Sequence, residues 1–496
     1  MGSTTLIDRR SGESALKGAS PPPGDDEKVV LYERRKQIYP QLVSGKFRTT
    51  KWAVLFATLG VYYLLPWLRW GRGPNAPDQA VLADFAGGRF YFFGLEIWPQ
   101  EVYYLTGLLI LAALGLFLVT ALFGRVWCGY TCPQTVWTDL FIVVERAFEG
   151  DRNARIKLDR EPWGFNKAWR KIGKHAVWLL VSFATGGVFV LYWHDAFDLA
   201  RTFFVGQAPM TAYVFAGLLT FTTYILAGTM REQVCTYMCP WPRIQSAMID
   251  KDTLAVTYRS DRGDPRGPHK KGEPWEGRGD CIDCKQCVVV CPMGIDIRKG
   301  LQLECIHCAL CIDACDGVMK KIGRPTGLIA YDTDENVVAR WMKKKPASFR
   351  PFRPRILVYA AALVVTAGAM TFGLLTRTDL ELAVQKDRAV PYVRLSTGDI
   401  RNAYTLKLVN KQRDERQLSL RIEGLPGGVL EVIGHEVTGG TAQVTAEPDG
   451  VDRYRLLVTA PATSVGAGGG TPLRFVLEDD DGKRAAVSAL FSGPGG

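Results

Sequence analysis

Hydrophobic positions along this chain fall into two patterns, separated by a polar insert. Five stretches are long, apolar and free of charge: residues 52–68, 102–123, 176–193, 212–230 and 356–376. Each is near the length that crosses the hydrocarbon core of a bilayer as a helix. The first is the shortest and contains Pro66. Trp, Tyr and Arg at the ends of the stretches set them apart from buried helices of a soluble protein. After Thr378 the pattern becomes a two-residue alternation, in segments 404–409, 418–422, 442–444, 454–458, 473–477 and 486–491. Turn residues cluster between them at 424–428, 439–440, 449–450, 466–470 and 479–482. Seven or eight short strands so spaced predict an immunoglobulin-like sandwich. Residues 1–51 are polar, include Pro21-Pro22-Pro23-Gly24, and predict a loosely ordered arm with no cleavable signal peptide.

Charge adds an orientation. The net charge is +11, but its excess is local. Arg34, Arg35, Lys36, Lys46, Arg48 and Lys51 precede the first stretch. Arg152, Arg155, Lys157, Arg160, Lys167, Arg170, Lys171 and Lys174 lie between the second and third. Lys270, Lys271, Lys343, Lys344, Lys345, Arg350, Arg353 and Arg355 lie between the fourth and fifth. The other two connections hold only Arg69, Arg72 and Arg89, and only Arg201. The bias of Lys and Arg toward the cytoplasm puts the N-terminus and both basic connections inside, and the β-domain outside. No basic motif interleaved with aromatics points to nucleic acid.

The polar insert carries the chemistry. Cys281, Cys284, Cys287 and Cys291, followed by Pro292, repeat as Cys305, Cys308, Cys311 and Cys315. This double CxxCxxCxxxC spacing is that of two [4Fe–4S] clusters, in which the fourth cysteine of each run crosses to the other cluster. One centre would use Cys281, Cys284, Cys287 and Cys315, the other Cys305, Cys308, Cys311 and Cys291. Zinc knuckles pair CxxC units across a longer gap, and disulfide frameworks belong to short secreted chains. The β-domain has no cysteine and so no disulfide.

Four more cysteines form an internal repeat. Cys128-Gly-Tyr130-Thr-Cys132-Pro133 follows the second stretch, and Cys235-Thr-Tyr237-Met-Cys239-Pro240 follows the fourth, each shortly after an arginine. The repeat predicts two equivalent helical hairpins, stretches one and two matching three and four, with a break at each proline. Cysteines at i and i+4 share a helical face, and four thiolates favour Cu(I), zinc or iron–sulfur over hard cations; the alternative is that they are small packing residues at helix ends. The five histidines offer no intramembrane pair for a haem. His307, inside the second cysteine run, is read as tuning or shielding a cluster, and His194 with Asp195 as an interfacial polar cap at the outer end of the third stretch, with metal entry as the alternative.

The whole arrangement resembles the FixG/CcoG family, accessory proteins of cbb3-type cytochrome c oxidase, over nearly the full chain. The membrane portion with paired CxxxCP is also similar to electron-transfer subunits of periplasmic nitrate and nitrous-oxide reduction systems; the external sandwich favours FixG/CcoG. One departure is Asp316 after Cys315, where the first copy has proline. The resemblance implies an α-helical membrane protein of about five spans in the bacterial inner membrane. Its expected divisions are an arm (1–51), a four-helix domain (52–250), a cytoplasmic dicluster ferredoxin-like module (251–350), a fifth span (351–377) and a periplasmic sandwich (378–496). It implies a cupric reductase that passes electrons from two [4Fe–4S] clusters to copper at Cys128, Cys132, Cys235 and Cys239 for oxidase assembly. Expected partners are the membrane, a cytoplasmic electron donor, copper chaperones or oxidase assembly factors, and a second copy of the chain. Competing readings are a conduit to a periplasmic reductase and a non-enzymatic redox-sensing scaffold. No nucleotide-binding fingerprint identifies the donor.

Overall fold

A computed structural model describes residues 37–73, 76–270, 272–387, 390–412, 414–465, 470–479, 482 and 484–494. Most of the expected arm lies outside the described residues, as do Arg34, Arg35, Lys36, Lys271 and most of the turn at 466–470.

The membrane part begins with α1 (Lys46–Leu64), closed by a 3₁₀ turn at Leu65–Trp67 where Pro66 interrupts the ladder. The helix thus starts inside the segment expected as arm. Its first turns bury Arg48 and Lys51, paired with Asp139 at 2.9 Å and 3.9 Å. Among the described residues, four other helices, and not α1, are long and apolar enough to cross a membrane, which makes this a membrane protein. They are α2 (Tyr103–Phe123), α6 (Phe165–Val190), α8 (Met210–Thr223) with its π-helical continuation Tyr224–Met230, and α14 (Pro354–Leu375). Helix α6 starts well before the expected residue 176, because its first turns form an amphipathic extension whose Lys171 and Lys174 pair with Glu149.

Between α2 and α6 lie α3 (Val126–Tyr130), α4 (Pro133–Glu149) and α5 (Arg152–Arg160). Pro133 opens α4 at its first position, where a missing N–H costs nothing. One face of α4 buries Asp139, Glu145 and Glu149, and Glu145 receives Arg155 at 2.8 Å and Arg231 at 3.0 Å. Buried carboxylates are tolerable when paired in this way.

The two expected hairpins are not equivalent. Helix α6 packs on α8, with Gly186 leaving room for Ala216 and Thr220. Helix α2 instead lies along α14: a Cβ at Gly107 would meet Met370 at 2.5 Å, and Phe117 packs on Tyr359. Small residues let helices approach closely where burial of apolar surface gives no driving force. A three-stranded meander, β1 (Val81–Asp84), β2 (Arg89–Phe92) and β3 (Leu95–Ile97), fills the first connection and has no counterpart in the expected elements. In the third connection α7 (Ala196–Phe204) is capped by Asp195, which accepts from Phe197 N and Asp198 N and pairs with Arg69.

After α14 the chain forms two five-stranded antiparallel sheets, from the strand Leu380–Lys386 to the strand Arg484–Ser492. All six expected strands are present, and Leu380–Lys386 and the short strands Val393–Arg394, Val429–Val432 and Val437–Thr438 are added to the count. The inward positions of the alternation, among them Tyr404, Leu406, Leu408, Leu418, Leu420, Phe475 and Phe491, are fully buried between the sheets. The sandwich sits on the meander side: Arg89 binds Asp449 at 2.7 Å and Lys411 binds Glu101 at 2.6 Å. The cysteine insert is at the other end of α14.

Candidate functional site

Each CxxCxxC run folds by the same local device. Asp283 and Lys285 in the first run, and His307 and Ala309 at the matching positions of the second, have positive φ of 53°, 57°, 52° and 61°. Non-glycine residues there cost of order 1–2 kcal/mol each, so something must hold the loop. The bends wind successive thiols around a common centre before short helices begin, α11 (Gln286–Val289) and α12 (Leu310–Lys321).

The windings make two cavities. One is lined by Cys281, Cys284, Cys287 and Cys315, with Tyr258, Met319, Leu328 and Ile329 around them. The other is lined by Cys287, Cys291, Cys305, Cys308 and Cys311, with Val256, Met293, Ile295 and Ile297. The fourth cysteine of each run therefore stands in the cavity of the other run. Burial pushes these thiols up, Cys287 and Cys305 to about 11 and Cys291 and Cys315 to about 12. Without a metal such thiols stay protonated; a bound metal ionises them, so its affinity becomes folding energy. Two sulfur-lined apolar cavities, each containing the four cysteines of one expected set and sharing Cys287 along their linings, fit [4Fe–4S] clusters, which when bound supply one-electron transfer. Among the described residues, no three His, Cys, Asp or Glu side chains are close enough to hold a single metal ion.

The second cysteine loop docks on the first CxYxCP repeat. Helix α2 ends at Gly124, whose φ of 63° turns the chain into α3. Arg125 N donates to His307 Nδ1 at 3.0 Å, and the Arg125 guanidinium reaches Leu303 O. A Cβ on Gly124 would meet His307 Nδ1 at 2.5 Å, and one on Gly129 would meet Ile306 O at 2.5 Å and Cys308 N at 3.0 Å. The Tyr130 hydroxyl donates to Cys308 O at 3.2 Å, and that of Tyr331 to His307 O. His307 is buried, and this burial, with Arg125 beside it, brings its pKa down to about 4. The ring is therefore neutral, with Nδ1 free to accept. Cys128 packs against the buried cluster of Val290, Ile306, Cys308, Leu310 and Ala314. From the same module Asp313 accepts from Phe47 N and Arg48 N at 3.3 Å and 2.8 Å, closing the N-terminus of α1.

The second repeat follows the π-helical turn. Arg231, with φ of 47°, stands four residues before Cys235, as Gly124 stands four before Cys128. The break is thus shared, while the two arginines noted in the sequence are one position out of register. Arg231 donates to Gly228 O at 2.8 Å and lies over the Trp178 ring. The repeats strap each other: Gln134 donates to Leu226 O and Arg231 O, and Gln245 contacts Thr120 while accepting from the Cys128 thiol at 3.2 Å. Cys128, Cys132, Cys235 and Cys239 fall within electrostatic reach of one another; burial first, then the other three, pushes Cys235 up to about 12. Cys235 also lines a polar chamber with Lys51, Asp139, Arg231 and Glu232, closed by Met293 and Ile306. Met293 and Ile306 line the second cluster cavity as well, so they form the wall between the two. Sequence reasoning missed Gly124, Gly129, Gln245 and Met293; the glycine inside the first CxYxCP was the available signal.

The 4Fe-4S dicluster domain family matches residues 230–334, a 4Fe-4S binding domain family matches 105–149, and the immunoglobulin-like fold at the C-terminus of FixG matches 370–494. The nitrogen fixation protein FixG of Rhizobium meliloti is 50% identical over 87% of this chain and 88% of its own. Protein RdxA of Cereibacter sphaeroides is 49% identical over 93% and 98%. A crystal structure of a FixG-related protein from Vibrio parahaemolyticus aligns with 23% of this chain and 97% of its own, at 20% identity and a TM-score of 0.20. Iron–sulfur electron transfer is the role these matches share with the cavities described above. By identity and coverage the chain belongs to the FixG family.

Proposed function

We propose that this protein reduces Cu(II) to Cu(I) at the inner membrane, with Cys128, Cys132, Cys235 and Cys239 receiving the ion as substrate, for assembly of a cbb3-type oxidase. The cluster module then lies in the cytoplasm and the sandwich in the periplasm, as the Lys and Arg bias suggests. The observation that carries the reading is the packing of Cys128 against the buried cluster that contains Ile306 and Cys308, which puts a soft thiol beside the second cavity. Thiolates favour the d¹⁰ Cu(I) ion over Cu(II), so their sulfur raises the potential of the couple. The residues of this chain hold the parts in place: His307 and Tyr130 clamp the loop to α3, and Gln134 and Gln245 strap the repeats together.

The test is anaerobic purification with iron, sulfide and copper counted, followed by addition of Cu(II) to the reduced protein. Stoichiometric Cu(I), lost in the Cys128, Cys132, Cys235, Cys239→Ser quadruple variant with iron retained, supports the reading; Cu(II) reduction at the normal rate in that variant rejects these cysteines. One observation favours a second reading, a conduit that passes electrons onward without binding copper: the four cysteines are neighbours but not assembled as a single-ion site. Electron delivery without copper binding would select it.

A further inference from the structure

The two cavities differ in what they show to solvent. The second is sealed against the membrane repeat, with Cys305 and Cys308 buried, whereas Cys284 of the first is the one exposed cysteine among the described residues. The charges around Cys284 are sorted. Asp283 and Asp296 are both taken by Arg298, whose side chain is only 6% exposed, and Asp264 accepts from the Tyr258 hydroxyl at 3.2 Å. Asp264 itself stays exposed, and three exposed groups set against it are cationic. Lys285 adjoins Cys284, and Lys299 follows Arg298. Arg266 is held beside the cavity because Gly267 N donates to Cys281 O at 3.1 Å; it is exposed and within electrostatic reach of Asp296.

We propose that this face docks an acidic protein that carries one electron at a time, and that Arg266, Lys285 and Lys299 are its contacts. The inference rests on the first cavity holding a cluster, and it names the donor class that the proposed function leaves open. The carrier loses one electron and the centre beside Cys284 gains it; no bond forms or breaks and no proton moves. A hydride donor would deliver two electrons together and would need a flavin and a nucleotide site, for which the chain has no fingerprint. Opposite charges raise encounter rates 10- to 10³-fold at low salt, and the gain is lost as salt screens them.

The test uses the full chain, prepared anaerobically in detergent, and an acidic plant-type [2Fe–2S] ferredoxin as probe. Binding of the oxidised ferredoxin to the immobilised protein is measured at low and high salt. Reduction by the reduced ferredoxin is followed by stopped flow, beside reduction by photoreduced deazariboflavin, an uncharged mediator that needs no docking. The Arg266→Glu, Lys285→Glu, Lys299→Glu triple variant is expected to bind ferredoxin at least tenfold more weakly and to be reduced by it at least tenfold more slowly. Iron content and the mediator rate should not change. Lys285→Gln alone should give a smaller loss in the same direction, which guards against a folding artefact of three reversals. Equal ferredoxin binding and rate in wild type and triple variant, or a wild-type rate indifferent to salt, would overturn the docking surface. A wild type without iron would instead overturn the cluster reading, and the binding arm, which needs no electron transfer, would still decide the surface.

Discussion

The two CxYxCP repeats have one motif and two surroundings. In the first, the position four residues before the motif and the position inside it are Gly124 and Gly129; in the second, the same positions are Arg231 and Thr236. The backbone break is common to both, with positive φ at Gly124 and Arg231. What differs is the neighbour. The loop 306–308 lies so close to the first repeat that no Cβ fits at either glycine. At the second repeat Thr236 merely donates to Glu232 O, while Tyr237 and Met238 are exposed. The identity of a motif therefore does not settle its role: the first repeat is a docking surface for the cluster module, and the second faces a polar chamber.

That contrast can be broken in graded ways. The largest effect is expected from the cysteines: both Cys128→Ser/Cys132→Ser and Cys235→Ser/Cys239→Ser should lose copper binding with iron unchanged, as metal analysis would show. If only the first pair matters, the four do not act as one site. Next comes Gly129→Val against Thr236→Val. The first drives a side chain into the backbone of Ile306, at a cost of about 3 kcal/mol as overpacking, and should lower both iron content and the thermal midpoint. The second, which removes only a hydroxyl, should stay within about 0.5 kcal/mol. His307→Ala leaves the Arg125 N–H buried without an acceptor, worth about 1–3 kcal/mol. It should loosen the loop while both centres remain spectroscopically visible. Gln134→Ala, its counterpart strap on the second repeat, should cost about 1 kcal/mol and leave the iron untouched.

Much of the fold was legible because its signals are local. Alternation of period two placed all six expected strands, since a strand with one buried face must repeat every second residue. Hydropathy placed four spans, since bilayer thickness fixes their length. The same rule misjudged α1: its apolar stretch is read correctly as helix, but its charged first turns belong to the helix too, neutralised by Asp139 from a segment far along the chain. The meander β1 to β3 was invisible, its strands being too short to show a period.

Cysteine spacing by itself determined the two-cavity module, because a CxxCxxC run brings its thiols together whatever surrounds it, and the fourth cysteine then has only the other run to join. The CxYxCP repeat, likewise, gave two helix breaks from the residues alone. Only tertiary structure decided that α2 would pair with α14, that His307 would accept from Arg125, and that Met293 and Ile306 would part the second cavity from the Cys235 chamber. These depend on whether surfaces hundreds of residues apart fit at a distance where one methyl group is too many. Close packing of that kind is a property of the assembled pair, and neither segment carries it alone.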